Sequence, residues 1–153
     1  MRYKGNAASE GIAIGRVLQY RAYTAKVEKK EIDPGEIEQE KVRWRTACER
    51  AKEELRALCK TLEQTDPDKA AIFEAHQDIV QDVALEEDIV GEIEDGGCNA
   101  EWATAKIYDR YARRLEKAAD ERMRARAADL YDVKNRILDR KSTRLNSSHE
   151  SPS

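Results

Sequence analysis

The stretch Ile32–Leu62, IDPGEIEQEKVRWRTACERAKEELRALCKTL, decides the fold. Asp33 stands at an N-cap position, Pro34 at the first helical position, and Glu36 where a capping box closes. Beyond them Trp44, Cys48, Ala51, Leu55, Leu58 and Leu62 step by 4, 3, 4, 3 and 4, with Ile37 one heptad ahead of Trp44. That spacing collects these apolar side chains on one stripe, so a single long amphipathic helix is predicted over about 34–64, and its seam wants a helical partner.

Partners follow in the sequence. TDPDK breaks the first helix, and a second is predicted from Pro67 or Asp68 over roughly 68–82, with Ile72, Phe73, His76, Ile79, Val80 and Val83 on one stripe. Leu85, Ile89 and Ile93 mark a third helix that ends at Gly96 and Gly97. Asn99 caps a fourth, in which Thr104, Tyr108, Tyr111, Leu115 and Ala118 step by 4, 3, 4 and 3. Met123, Ala127, Leu130, Val133 and Ile137 continue the pattern to about Arg140, with room for a kink near Asp120. Long helices joined by short breaks fold back on one another, which predicts a mainly α protein built as an antiparallel helical-hairpin bundle.

The two ends differ from this middle. In GNAASEGIAIGRVLQY, residues 5–20, turn glycines precede Ile12, Ile14, Val17 and Leu18 at β-type spacing, so a short N-terminal β segment is expected, with Ala25–Ile32 the only further strand candidate. A strand with so few neighbours is marginal in water and reads as part of a sheet whose remainder lies elsewhere. The last residues, KSTRLNSSHESPS, are serine-rich and carry no apolar stripe, so 141–153 reads as a disordered, non-native tail and His149 within it as a residue without a role.

Composition narrows the function. The chain has 153 residues, 39% charged and 6% aromatic, with 28 basic side chains against 31 acidic ones and a net charge of −3. Opposite charges are mixed along it, so no basic field offers itself to phosphates and nucleic acid is not an expected partner. No apolar run approaches the roughly 20 residues of a membrane span, and the N-terminal residues lack a signal-peptide core, which predicts a cytoplasmic protein without a membrane partner. Cys48 and Cys59 lie eleven residues apart on one predicted helix, about 16 Å, too far for a disulfide. The third cysteine, Cys98, adds no C-x-x-C spacing, so reduced thiols are expected and a zinc site is not.

Glycines 5, 11 and 15 lack the G-x-G-x-x-G phosphate spacing, and the chain has no His-x-x-x-His pair or calcium-loop motif, so no metal ligands are assigned. His76 has Ile72, Phe73, Ile79 and Val80 at i−4, i−3, i+3 and i+4. These neighbours place its ring at the buried margin, where a structural, helix-to-helix hydrogen bond is the expected role rather than phosphoryl or proton chemistry. On the opposite side Glu74, Asp78, Gln81 and Asp82 fall at i, i+4, i+7 and i+8, with Asp68 and Lys69 ahead of them and Glu86 and Glu87 beyond. Such an acidic strip serves either as a solvated face or as an interface for a small basic partner.

Taken in order, GNAASEGIAIGRV, KAAIFEAHQDIVQD, NAEWA and RARAADLYDVKNRIL resemble the N-terminal region of Enzyme I, the phosphoenolpyruvate–protein phosphotransferase of the bacterial sugar phosphotransferase system, from about Gly5 to Leu138. The resemblance implies that residues 1–32 are the opening strands of an incomplete swivelling α/β domain and 33–140 the inserted helical domain. It implies as partner the histidine-containing phosphocarrier protein, docked for histidine-to-histidine phosphoryl transfer on Asp68, Lys69, Glu74, Asp78, Asp82 and Arg126. His76 matches a family histidine that is not the phosphoryl acceptor, and the acceptor motif Gly-Gly-x-Thr-Ser-His occurs nowhere in this sequence. This part of the enzyme is therefore expected to bind without catalysing. It needs no cofactor, because magnesium in the full-length family belongs to a C-terminal barrel, and it is expected to be monomeric although the full-length family is dimeric. Gln77 and Asp78 replace mainly apolar residues of the family, and Tyr131 and Lys134 stand where a basic and a small residue are common. The alternative is a free-standing helical interaction module without a phosphotransfer role, which an acceptor motif some tens of residues downstream would exclude.

Overall fold

A computed structural model describes residues 27–138. The expected strand over residues 5–20 and the tail over 141–153 lie outside the described residues. Within them a 3-10 turn, Pro34–Glu36, leads into α1 (Ile37–Leu62), followed by α2 (Pro67–Val80), α3 (Val83–Gly96), α4 (Ala100–Glu116) and α5 (Glu121–Leu138). The helices form an antiparallel hairpin bundle. Asp109 of α4 meets Lys134 of α5 at 2.7 Å across one hairpin, and Glu92 of α3 meets Lys106 of α4 at 2.8 Å across another. Cys59 near the end of α1 donates to the Ala70 carbonyl of α2 at 3.3 Å, closing the first.

Most of the core lies on the stripes that the heptad-like spacing predicts, with Ala47, Ile107 and Ala112 buried beside them and Leu58, Leu62, Tyr111 and Leu115 only partly covered. Trp44, Ala47, Cys48, Ala51 and Leu55 of α1 are buried, together with Ile89 and Ile93 of α3, Ile107, Tyr108 and Ala112 of α4, and Leu130, Val133 and Ile137 of α5. Fully burying a side chain such as Leu55, Ile89 or Ile137 is worth about 1.5–3 kcal/mol against leaving it in water. Alanines 47, 51, 103 and 112 let the helix axes approach, which explains how a chain with few aromatics fills its interior.

The helix boundaries show where local chemistry overrode periodicity. Asp33 N–H donates to Glu36 Oε1 at 3.4 Å, as the capping reading requires, but the first turn is 3-10 and the α-helix begins only at Ile37. Asp66 caps α2 by accepting from Lys69 N–H at 3.2 Å, with Pro67 at the first helical position. The second helix stops at Val80 rather than 82, because Asp82 turns to cap α3, accepting from Leu85 N–H at 3.0 Å. That cap resets the helical phase, so Val83, expected on the α2 stripe, is 63% exposed. Near Asp120 the expected kink is a full break over residues 117–120, where Asp120 Oδ1 accepts from Arg122 N–H at 2.8 Å and starts α5. Met123, counted in the last stripe, sits in the first turn after this break and is 43% exposed.

Asn99 occupies the N-cap of α4 but does not cap it. Its carboxamide accepts from Lys30 N–H at 2.8 Å and donates to the Glu28 carbonyl and to Glu101 Oε1, both at 3.1 Å. The capping falls to α1: Glu40 Oε2 accepts from Ala100 N–H at 2.7 Å while pairing with Arg43, which also grips the buried Glu101 at 2.8 Å. Ile32 N–H to the Gly97 carbonyl at 2.9 Å and Asn99 N–H to the Lys30 carbonyl at 3.0 Å complete an isolated antiparallel bridge between Glu31 and Cys98. The described part of the candidate strand Ala25–Ile32 thus pairs with the α3–α4 junction.

Gly97 ends α3 with φ 59, the left-handed conformation of a helix C-terminus, and donates back to the Ile93 carbonyl. A Cβ there would meet no atom within 4 Å, so Gly97→Ala is expected to cost only the backbone term, about 1 kcal/mol, seen as a lower urea midpoint with an unchanged m-value.

Candidate functional site

Helix α2 presents two different faces because it packs on two helices at once. Ala70 and Gln77 turn toward α1, where the Ala70 carbonyl accepts from Cys59 Sγ at 3.3 Å and Gln77 Nε2 donates to Cys59 Sγ at 3.2 Å. His76 turns toward α5, and both it and Ile79 are buried, His76 to 4% exposure. Asp68, Lys69, Glu74 and Asp78 are left exposed. Ile72 belongs to the apolar stripe by spacing, yet it is 50% exposed. The four α2 residues carry three carboxylates against one ammonium, and Asp82 adds a further exposed carboxylate just past the helix end. Arg126 is exposed on α5.

Of the six residues the sequence singles out for docking, the fold places Glu74 and Asp78 one turn apart on the outer face of α2, Asp68 and Lys69 in its first turn, and Asp82 at the α2–α3 corner. Arg126 lies on the neighbouring helix, one turn before Asp129. Among the described residues no hydrogen bond or ion pair consumes the side chains of Asp68, Lys69, Glu74, Asp78 or Arg126, so their charges face water; Asp82 is held rigidly by its cap.

His76 joins the two helices. Its Nε2 lies 3.1 Å from Asp129 Oδ1, and the Phe73 ring meets the imidazole edge-on at 5.9 Å and 80°. The guanidinium of Arg136 sits 5.9 Å over Phe73 and reaches Glu54 of α1 at 3.1 Å. Because Phe73 faces Arg136 while His76 faces Asp129, α2 and α5 run antiparallel. The His76–Asp129 contact therefore fixes the register that sets Arg126 relative to the acidic residues of α2. Asp132, one turn beyond Asp129, completes a group in which the imidazole and two carboxylates offer ligand atoms all within 4.8 Å of one another. The sequence reading assigned no metal ligands and missed this group, since 53 residues separate His76 from Asp129. Its only local signal is the Asp-x-x-Asp pair on α5.

The thiols are quiet. All three cysteines are free, and burial, with Glu86 and Glu49 nearby, pushes the Cys48 thiol far above its usual range. Burial raises Cys98 as well. A separate cleft of about 260 Å³ lies between α1, the end of α2 and α3, lined by Trp44, Arg45, Lys52, Val80 and Glu86. It shares no residue with the His76 group.

By its fold, the described part of the chain is a helical hairpin domain with no helix long and apolar enough to cross a membrane. The chain belongs to the family of PEP-utilising enzymes, whose N-terminal domain description matches residues 4–126. It is 35% identical over 136 residues to the phosphoenolpyruvate-protein phosphotransferase of Mycoplasma capricolum, covering 88% of this chain and 23% of that protein. The corresponding protein of Haemophilus influenzae is 33% identical over 135 residues, covering 88% of this chain and 24% of its own length. This chain thus spans about a quarter of the curated relatives it matches. A solution structure of an Enzyme I protein superimposes with a TM-score of 0.71 at 30% identity, over 74% of this chain and 46% of that one. The N-terminal domain of a nitrogen-type Enzyme I gives 0.70 at 26%, over 75% and 48%. The match is thus to the N-terminal domain of Enzyme I of the phosphoenolpyruvate phosphotransferase system.

Proposed function

We propose that this chain supplies the phosphocarrier-docking part of a phosphoenolpyruvate–protein phosphotransferase, with residues 33–140 as the docking domain and residues 1–32 as the opening of the swivelling domain. The partner is a small basic protein that carries phosphate on a histidine, and the setting is the cytoplasm. The observation that carries this reading is the unneutralised acidic side of α2 and the α2–α3 corner in a chain of the Enzyme I family. Asp68, Glu74, Asp78 and Asp82 attract the carrier and set its orientation, Lys69 and Arg126 select against a misplaced cation, and the exposed side chain of Ile72 gives an apolar contact beside the charges. His76 does not receive phosphate: it holds α2 to α5 so that the docking charges keep their spacing. No cofactor takes part in docking, and magnesium belongs with the catalytic barrel of the whole enzyme. The docking part acts as a monomer.

Titration calorimetry of the carrier into the chain tests this. Glu74→Lys with Asp78→Lys is expected to weaken binding at least tenfold, about 1.4 kcal/mol or more. Binding of the parent should also fall steeply toward 1 M salt, where the Debye length shrinks to about 3 Å. Affinity unchanged by both the reversal and the salt would remove the acidic face from the mechanism.

A further inference from the structure

We propose that His76, Asp129 and Asp132 form a binding site for a divalent transition-metal ion of the zinc class. The three groups come from two helices, and the fold rather than any local motif assembles them. Asp129 and Asp132 are three residues apart on α5, which puts both carboxylates on one face, and the imidazole of α2 meets them from across the helix pair. Helix bundles build metal sites in this way, from i, i+3 ligand pairs facing a ligand on a neighbouring helix.

The distances suit a small tetrahedral ion. Metal–nitrogen and metal–oxygen bonds of about 2.0–2.2 Å place neighbouring ligand atoms about 3.3 Å apart. His76 Nε2 and Asp129 Oδ1 already stand at 3.1 Å. The remaining ligand atoms lie within 4.8 Å, so Asp132 closes on the ion by a side-chain rotation of at most about 1.5 Å. A mixed nitrogen and oxygen set favours zinc, cobalt or manganese over calcium and magnesium, which prefer oxygen alone.

Charge gives the independent reason. Asp129 and Asp132 are both half-buried, and the only group drawn up to them among the described residues is the imidazole. No arginine or lysine closes the pair: Arg136 is committed to Glu54, and Arg126 is exposed. A buried imidazole grouped with two carboxylates that have no other basic partner among the described residues is a seat for a cation. The edge of Phe73 fixes the ring orientation, as outer-shell contacts do for metal-ligating histidines. Asp129 and Asp132 are each partly exposed, which gives an ion a path to the buried imidazole. Bound metal would lock α2 to α5, whether or not a phosphocarrier docks there.

The full chain, stripped with chelator, is titrated with Zn²⁺ while the long-range imidazole nitrogen resonances are followed. With only two histidines the spectrum assigns itself: the His76 nitrogens should shift at one equivalent and those of His149 should not. Calorimetry should show one ion with Kd near 10 µM or tighter, about −7 kcal/mol. Asp132→Asn, whose carboxylate makes no hydrogen bond among the described residues, should keep the helical circular dichroism and lose at least tenfold in affinity. His149→Ala with Cys59→Ser should bind as the parent does. Zinc that moves only His149 or neither histidine, or that binds Asp132→Asn as tightly as the parent, overturns the site.

Discussion

Asp109→Ala is expected to lower the unfolding free energy by about 3–5 kcal/mol, a large share of the stability of a domain this size. Lys134 is 0% exposed, and its ammonium meets Asp109 at 2.7 Å between α4 and α5, 5.3 Å from the Tyr131 ring centroid. Burial pulls the Lys134 pKa below its ordinary value, and Asp109 opposes that pull. Removing the carboxylate takes away the counter-charge and leaves the desolvation cost in place. Replacing both partners, Asp109→Leu with Lys134→Met, should restore most of the loss, because an apolar pair of similar volume carries no desolvation penalty. Urea unfolding of the two variants distinguishes these outcomes. A cost near 0.5 kcal/mol for Asp109→Ala, typical of a surface pair, would mean that the ammonium escapes to water.

At alkaline pH the fold should weaken by about 4 kcal/mol between pH 9 and pH 11. Burial raises Cys48 and Tyr108 well above their ordinary values of 9.0 and 10.0. Each folded-state pKa therefore exceeds the unfolded one. Above the unfolded pKa the unfolded chain binds fewer protons than the folded one, so stability falls as pH rises, by about 1.4 kcal/mol per pH unit for each group. Cys48 acts from about pH 9 and Tyr108 from about pH 10, which gives the total. Cys98, raised by burial, Tyr111, raised by its hydrogen bond to Asp88, and Tyr131, raised to about 12 chiefly by burial, add in the same direction, whereas the lowered Lys134 opposes it as its proton leaves. Cys48→Ala should flatten the slope between pH 9 and 10, measured as the urea midpoint against pH. A slope equal to that of the parent would place the ionisation elsewhere.

The fold was largely legible in the sequence because α1 states its period so clearly. Trp44, Cys48, Ala51 and Leu55 fall on one stripe by spacing, and all four are buried. What spacing could not show was where a stripe loses its cover. Ile72 keeps the right phase but lies half outside the helix pair, and Val83 and Met123 each follow an aspartate that starts a new helix and turns its face. The caps were legible as residue types but not always as roles, since Asn99 binds the preceding segment while Glu40 from another helix caps α4. For the candidate site, the exposed charges could be read from α2 alone. The His76–Asp129–Asp132 group could not, because antiparallel packing of α2 and α5 decides which of many carboxylates meets the imidazole. Nor does spacing show that Lys134 is buried with the Asp109 carboxylate of α4 opposite it.

The tie between residues 28–32 and the α3–α4 junction has a mechanical consequence. Four hydrogen bonds cross it: Ile32 N–H to the Gly97 carbonyl, Asn99 N–H to the Lys30 carbonyl, Lys30 N–H to the Asn99 carboxamide oxygen, and the Asn99 carboxamide nitrogen to the Glu28 carbonyl. Residue 28 and Asn99 lie at the same end of this antiparallel pairing, so tension that draws residue 28 away from α4 meets the Asn99 carboxamide bonds first and opens the pairing toward Ile32 and Gly97 one bond at a time. The junction resists such tension as a clasp and delivers it to the first turn of α4, which Glu40 in turn fastens to α1. Force entering at residue 28 thus reaches α4 and α1 through the side chains of Asn99 and Glu40 before it reaches the end of α3.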